Sequence, residues 1–383
     1  MKRLILFLAF TTFGFSQNYY LYVAAESDDT VSLIKFDGKS ATELERIPVG
    51  IKFAETEGPH GLTVDPSGDY WYLSLAHGNP YGTLTKFSTQ TNTEIATTEL
   101  GYFPATMEIS SLTGLLYCVN FKLYGTMTPS SVSVVDPQTM TEITKIPTGV
   151  MPHGSRISPD GRFQYSVAMM SGELYEVDTV SLEVNRVLQL DNNHHMDHQD
   201  MNHQDMNHQG MNHKDMNHQD MNHQGMNHQD MNHQGMNHSA TQPTWVIPHP
   251  FDSKVYVAGN SSNEIIEVDT DSWEIINRFK TGKGPYNIDI TSDGKKLVTT
   301  LKGEGKTEIK NLKTGKSKIV DNTTKVSHGV VISPDNKYAF VTVEGIGGEP
   351  GVLDVIDIGK AKLVSSVKIG KQAGGIAFWK LEQ

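Results

Sequence analysis

Apolar residues along this chain come in short bursts separated by turns. Segments such as YWYLSL (70–75), LLYCVN (115–120), KVYVAGN (254–260) and YAFVTV (338–343) are rich in aromatic and β-branched residues, which predicts strands. Before each stands an opening in which a shorter apolar run ends in a Pro/Ser/Asp/Gly turn. These openings are PHGLTVDPSG (59–68), PATMEISSLTG (104–114), PHGSRISPDG (152–161), PTWVIPHPFDS (243–253), PYNIDITSDG (285–294) and SHGVVISPDN (327–336). A third strand follows, as in SVSVVD (131–136), EIIEVD (264–269) and LDVIDI (353–358). A polar turn then leads to a fourth, as in EITKIPTG (142–149) and WEIINRFKTG (273–282). The unit recurs every ~40 to 48 residues, the period of a four-stranded propeller blade.

The chain ends complete the count. Residues 18–50 (YYLYVAA, TVSLIKFD, ELERIPVG) supply strands two to four of a blade without its first, and AGGIAFW (373–379) supplies a first strand and then stops. Pairing the two closes the ring and removes the sheet edges an open array would expose. The expected fold is all-β, a seven-bladed β-propeller closed by the C-terminal strand against the N-terminal three.

The phrases YVAA (22–25), YCVN (117–120), YVAGN (256–260) and FVTV (340–343), with the PDG turns, resemble the YVTN-type, lactonase-like seven-bladed propeller family. The resemblance spans nearly all of 18–383 except one insertion. It implies the fold; its members include hydrolases and electron-transfer partners, so the fold alone does not choose an activity.

The first residues change the expected location. Lys2 and Arg3 precede the apolar runs Leu4–Phe10 and Phe13–Phe15, and Gly14 and Ser16 stand where a signal peptidase requires small residues. Residues 1–16 are therefore read as a signal peptide, giving a soluble periplasmic or secreted protein. Later residues contain no apolar run of about 18, so no membrane span is expected. Cys118 is the single cysteine, which excludes an internal disulfide. A formal net charge of −12 argues against a nucleic-acid partner.

Between blades 1–4 (17–191) and blades 5–7 with the closing strand (242–383), the pattern gives way to an insertion, 192–241. Here Met-Asn-His-Gln-Asp/Gly repeats. It carries Met196, Met201, Met206, Met211, Met216, Met221, Met226, Met231 and Met236, interleaved with His194, His195, His198, His203, His208, His213, His218, His223, His228, His233 and His238. On a helix a step of five rotates about 140°, and on a strand it alternates faces, so no amphipathic element is built. With little apolar surface to offset the entropy of ordering, the arm is expected to be disordered when empty.

Thioether sulfur is a soft ligand that favours Cu(I), and imidazole accepts Cu(I), Cu(II), Zn or Ni. Interleaving both points to copper in either oxidation state, with silver bound by the same softness; zinc or nickel would need only the histidines. The arm has no thiolate, which suits an oxidising compartment. Similar tracts recur in exported bacterial copper-handling proteins, which this chain resembles. A spacer expanded by replication slippage would explain the copying, but not why Met and His are what was copied.

A second cluster is expected on the same rim. His60, His153 and His328 occupy matching positions in the openings, near the central channel, where three imidazoles could make a copper or zinc site. His60 shares the parity of Leu62 and Val64, which also allows it to pack between blades and hydrogen-bond a neighbouring loop instead. Met151, His77, Met127, Met169 and Met170 are placed on that rim, and His249 on the opposite face as a surface residue. The first reading is a binding protein rather than an enzyme: it captures, sequesters or delivers copper, and another envelope protein could dock on the rim. The alternatives are a copper-dependent oxidoreductase, similar at fold level to the propeller domain of nitrous oxide reductase but with fewer inward histidines, a lactonase-like hydrolase, or an interaction scaffold. For a hydrolase only Glu57, Asp65, Glu108 and Glu173 stand out, scattered along the chain.

Overall fold

The computed structural model describes residues 17–50, 52, 55–77, 81–124, 126–191 and 238–382. Among them lie seven antiparallel sheets of four strands. Blade one joins Ala373–Glu382 to Asn18–Ala25, Thr30–Phe36 and Ala41–Pro48, as the chain ends predict. Its closing register sets Tyr19 opposite Leu381 and Tyr22 opposite Ala377. The first strands pack side by side around the axis, and Ala373–Glu382 lies between Pro59–Val64 of blade two and Ser327–Ile332 of blade seven.

The burial pattern follows the amino-acid pattern. In blade two, Tyr70–Leu75 is buried at every residue but the first, whereas the outer strands Glu183–Gln189 and Lys362–Lys368 never bury a residue fully. Apolar layers between blades hold the ring. Tyr22 of blade one stacks on Trp71 of blade two at 4.9 Å, and Trp71 stacks on Phe87 at 3.9 Å and 7°. On the other side of blade one, Tyr19 meets Phe340 of blade seven at 6.1 Å, so the N-terminal strand fills both layers at the closure.

Every first strand carries a bulge near its start. Pro59 pairs with Leu75 but Leu62 with Leu73, so three steps oppose two, and the same shift recurs at Pro104/Met107, Pro152/Ser155, Pro285/Ile288 and Ser327/Val330. A bulge re-aims the residues within it. In three blades they are His-Gly pairs, and the close approach of the next blade requires glycine: a Cβ on Gly61 would stand 1.8 Å from the Ala105 carbonyl oxygen, on Gly154 2.4 Å from that of Thr244 and, in the closing strand, on Gly375 1.8 Å from that of His60.

At this contact a hydroxyl bridges neighbouring blades. Ser74 Oγ accepts the Gly61 N–H (2.8 Å) and donates to the Ala105 carbonyl (3.2 Å). Thr342 does the same between Gly329 and Gly374, and Thr300 between Asn287 and His328. Deeper in the channel wall, carboxylates make the bridge. Glu108 accepts the Ile157 N–H of the next blade at 2.6 Å, and Asp289 that of Ile332 at 2.8 Å.

Burial raises both carboxyls above their ordinary values, that of Asp289 to about 6, although Arg156 and the donated N–H groups pull the other way. Arg156 lies with its guanidinium 4.8 Å over the Trp245 ring.

Two predictions follow from these contacts. Gly61→Ala forces a backbone carbonyl aside and should cost about 3 kcal/mol or more, at or beyond the upper end of overpacking. Gly348→Ala, with nothing within 4 Å, should stay within about 0.5 kcal/mol; denaturant melts of the two variants measure the difference. Asp289 binds its proton more tightly folded than unfolded, so acidification from about pH 6 to about 4 favours the folded state through this group. Wild type should therefore gain stability relative to Asp289→Asn across that window, and a pH-independent difference would rule the effect out.

Candidate metal site at the channel mouth

The second residues of the seven first strands form a ring at one end of the channel: His60, Ala105, His153, Thr244, Tyr286, His328 and, from the closing strand, Gly374. Large and small alternate, and an odd number of positions leaves two large neighbours together, Tyr286 and His328, with ring centroids 4.7 Å apart. The channel below has about 460 Å³ of empty volume counting its open mouth, and His60, His153, His328, Arg156 and Trp245 line it. The three histidines predicted to converge do so: His60 stands 6.0 Å from His328 and 6.3 Å from His153, ring centre to ring centre. The packing alternative is met as well: the His60 ring lies 5.4 Å from that of Phe103 and its Nδ1 faces Glu26 in a turn of the neighbouring blade.

Their hydrogen bonds differ. His153 Nδ1 lies 2.9 Å from the Thr244 carbonyl, which can only accept, so Nδ1 carries the proton. Nε2 must then accept from the Tyr286 hydroxyl, also at 2.9 Å. Burial, helped by His60, pushes His153 down to about 3, so it is neutral with both nitrogens engaged.

His60 Nδ1 faces Glu26 Oε2 at 3.1 Å, and His77 Nε2 faces Oε1 of the same carboxylate at 2.8 Å. Glu26 sits in the 3-10 turn Glu26–Asp28 of blade one, almost fully buried. Burial alone would raise its carboxyl; His60 and His77 outweigh that and hold it well below the carboxylate range. Burial likewise opposes the charge on His77, but Glu26 wins and raises it. Gly58, at φ +65°, leaves the space into which the His77 ring fits.

His328 is held well below its ordinary value by burial, then by Lys302, His60 and His153. Its Nδ1 lies 3.4 Å from Glu344 Oε1 but makes no hydrogen bond, because that oxygen is turned to Lys302 Nζ at 2.8 Å. Lys302 also lies 4.3 Å over the Tyr286 ring. Burial would lower the Lys302 ammonium, but Glu344 and Tyr286 hold it above its ordinary value.

Among the described residues, no group of three or more His, Cys, Asp or Glu is arranged to hold a metal ion. His60, His153 and His328 are thus not grouped as three converging ligands in this structure. Tetrahedral ligation through bonds of about 2 Å would bring ring centres to about 5 Å. The observed spacings are wider, and His153 is already committed on both nitrogens.

The arm candidates His194 to Met236 lie outside the described residues, as does the expected signal peptide 1–16; His238 is described and exposed. The two ends of the insertion are clasped together. Asp191 accepts from Ser239 Oγ (2.8 Å) and from the N–H of Thr241 (2.9 Å), and the Ser239 N–H donates to the Met170 carbonyl (3.0 Å). Three residues beyond Thr241 comes Thr244, the partner of His153, so the insertion departs from the histidine rim.

Other expectations change. Met151 and Met169 are buried in the apolar cluster around Phe103 and Val119, and Met127 and Met170 pack against it, so these thioethers serve packing. His249 is not a surface residue: it is 8% exposed, and its ring bridges the Gly294 carbonyl and the Phe251 and Asp252 N–H groups on the other face. Asp65 ties a turn through Ser67, Asp69 and Tyr70, Glu173 accepts from Tyr175, and Glu57 accepts the Lys52 N–H. Only Glu108 of the four faces the channel. Glu26, Lys302 and Glu344 are missed by sequence reasoning.

Among the described residues no helix is long and apolar enough to cross a membrane. No curated protein matches the sequence. Among solved structures, a functionally unknown protein from Desulfotomaculum acetoxidans is 15% identical, with TM-score 0.65 over 94% of this chain and 98% of that one. A protein from Lactobacillus plantarum is 13% identical, with TM-score 0.68 over 95% and 100%. A putative 6-phosphogluconolactonase from Bacteroides uniformis is 13% identical, with TM-score 0.62 over 94% and 99%. At such identities the likeness is one of fold. A model of the YNCE-like β-propeller family matches residues 121–343, more than half of the chain, and the protein belongs to that family.

Proposed function

We propose that this protein is an exported metal-capture protein whose Met/His arm, His194 to His238, binds copper and, by the same chemistry, silver. The propeller serves as its carrier. The single observation that carries the reading is the pairing of a soft-ligand repeat with a neck, Asp191 to Ser239 and Thr241, that anchors it on the histidine rim. Many weak, exchangeable ligands on one segment raise the local metal concentration and favour hand-over. Sequestration or delivery in the cell envelope follows from that property. The hydrolase alternative gains nothing from Asp65 and Glu173, which serve turns and strand edges.

The test is an anaerobic Cu(I) titration against a chromophoric chelator, on the protein with and without residues 192–237. The full protein should withdraw several equivalents and the deletion at most one. Equal uptake by both would sink the reading. Because the neck closes on itself, the deletion should melt within a few degrees of the parent, as excision at a surface loop permits; loss of the cooperative melt would show that the arm is needed for folding.

A further inference from the structure

We infer that His60 and His328 form a two-coordinate site for a monovalent d10 ion, Cu(I) or Ag(I), in the gap that Gly374 leaves between them at the channel mouth. The inference rests on the arm reading for its source of metal, but on different residues for its chemistry.

Spacing selects the coordination. Two imidazoles bound in line to one ion, with bonds of about 2 Å on each side, place their ring centres about 6 Å apart. His60 and His328 stand at 6.0 Å. The spacing is too wide for a tetrahedral divalent ion, and the third histidine of the ring, His153, is already held by Thr244 and Tyr286. Soft monovalent copper and silver accept two nitrogen ligands, whereas Zn(II) in proteins takes four.

The two rings are also available. His328 is 7% exposed and His60 9%, so both are more than nine-tenths buried. His328 Nδ1 is a buried nitrogen without a hydrogen bond, an arrangement that calls for an explanation. It points into the gap: a Cβ on Gly374 would stand 2.9 Å from it. His60 turns Nδ1 to Glu26, which fixes the ring as a carboxylate behind a metal-bound histidine does. Glu26 and Glu344 supply negative charge beside the gap, and Glu344 is also paired with the Lys302 ammonium.

The experiment uses the full-length protein crystallised with silver nitrate, with bound ions counted in parallel by native mass spectrometry. Anomalous density is expected between the His60 and His328 rings. It should vanish in His328→Gln and in Gly374→Ala, which fills the gap while keeping both imidazoles, and each variant should bind one ion fewer. Zinc treated in the same way should leave the gap empty. A gap without silver while several ions are still counted overturns this site and leaves the arm reading standing; no ions at all overturns both. Density that survives in His328→Gln, or zinc in the gap, overturns the pairing.

Discussion

The ring depends on one close contact, repeated at the axis. The bulge in each first strand brings a main-chain segment so near the next blade's carbonyl that several positions admit only glycine, and a Ser or Thr hydroxyl completes the hydrogen bonding between the two backbones. Burying polar main chain is costly unless it is paired, so these bridges let the innermost strands approach without orphaned groups. The apolar layers farther out then stack blade on blade at a spacing the axis has already set.

The same bulge creates the chemistry at the mouth. It turns the second residue of each first strand inward, where the seven positions of a quasi-symmetric ring carry five different residue types. Three became histidine, and their neighbours made them unlike one another: one is locked by a carbonyl and a phenol, one is oriented by a buried carboxylate, and one keeps a bare nitrogen. Identical residues at matching positions are thus not equivalent ligands.

Much of this was legible in the chain. Strand bursts, Pro-Asp-Gly turns and the split blade gave the fold and its closure, because side-chain alternation and turn chemistry act over a few residues. The convergence of His60, His153 and His328 was legible for the same reason. Glu26 was not, since nothing in AAESDD marks it as the partner of residues 34 and 51 positions away. Nor was the bulge of each first strand, or the burial of His249, whose partner Gly294 comes from the next blade. That the rim methionines would be buried was not legible either, because Met fills irregular core gaps as readily as it stands at a surface.

The neck at Asp191 has a consequence for how such a protein can change over generations. With both ends of the insertion tied to one spot on the rim, adding or losing a pentapeptide copy displaces nothing in the blades. Closure entropy rises by only about 0.6 kcal/mol for each doubling of a loop. Replication errors in the repeat can therefore alter its length in small steps while selection on the scaffold is untouched, so related chains are expected to differ in repeat number before they differ anywhere else.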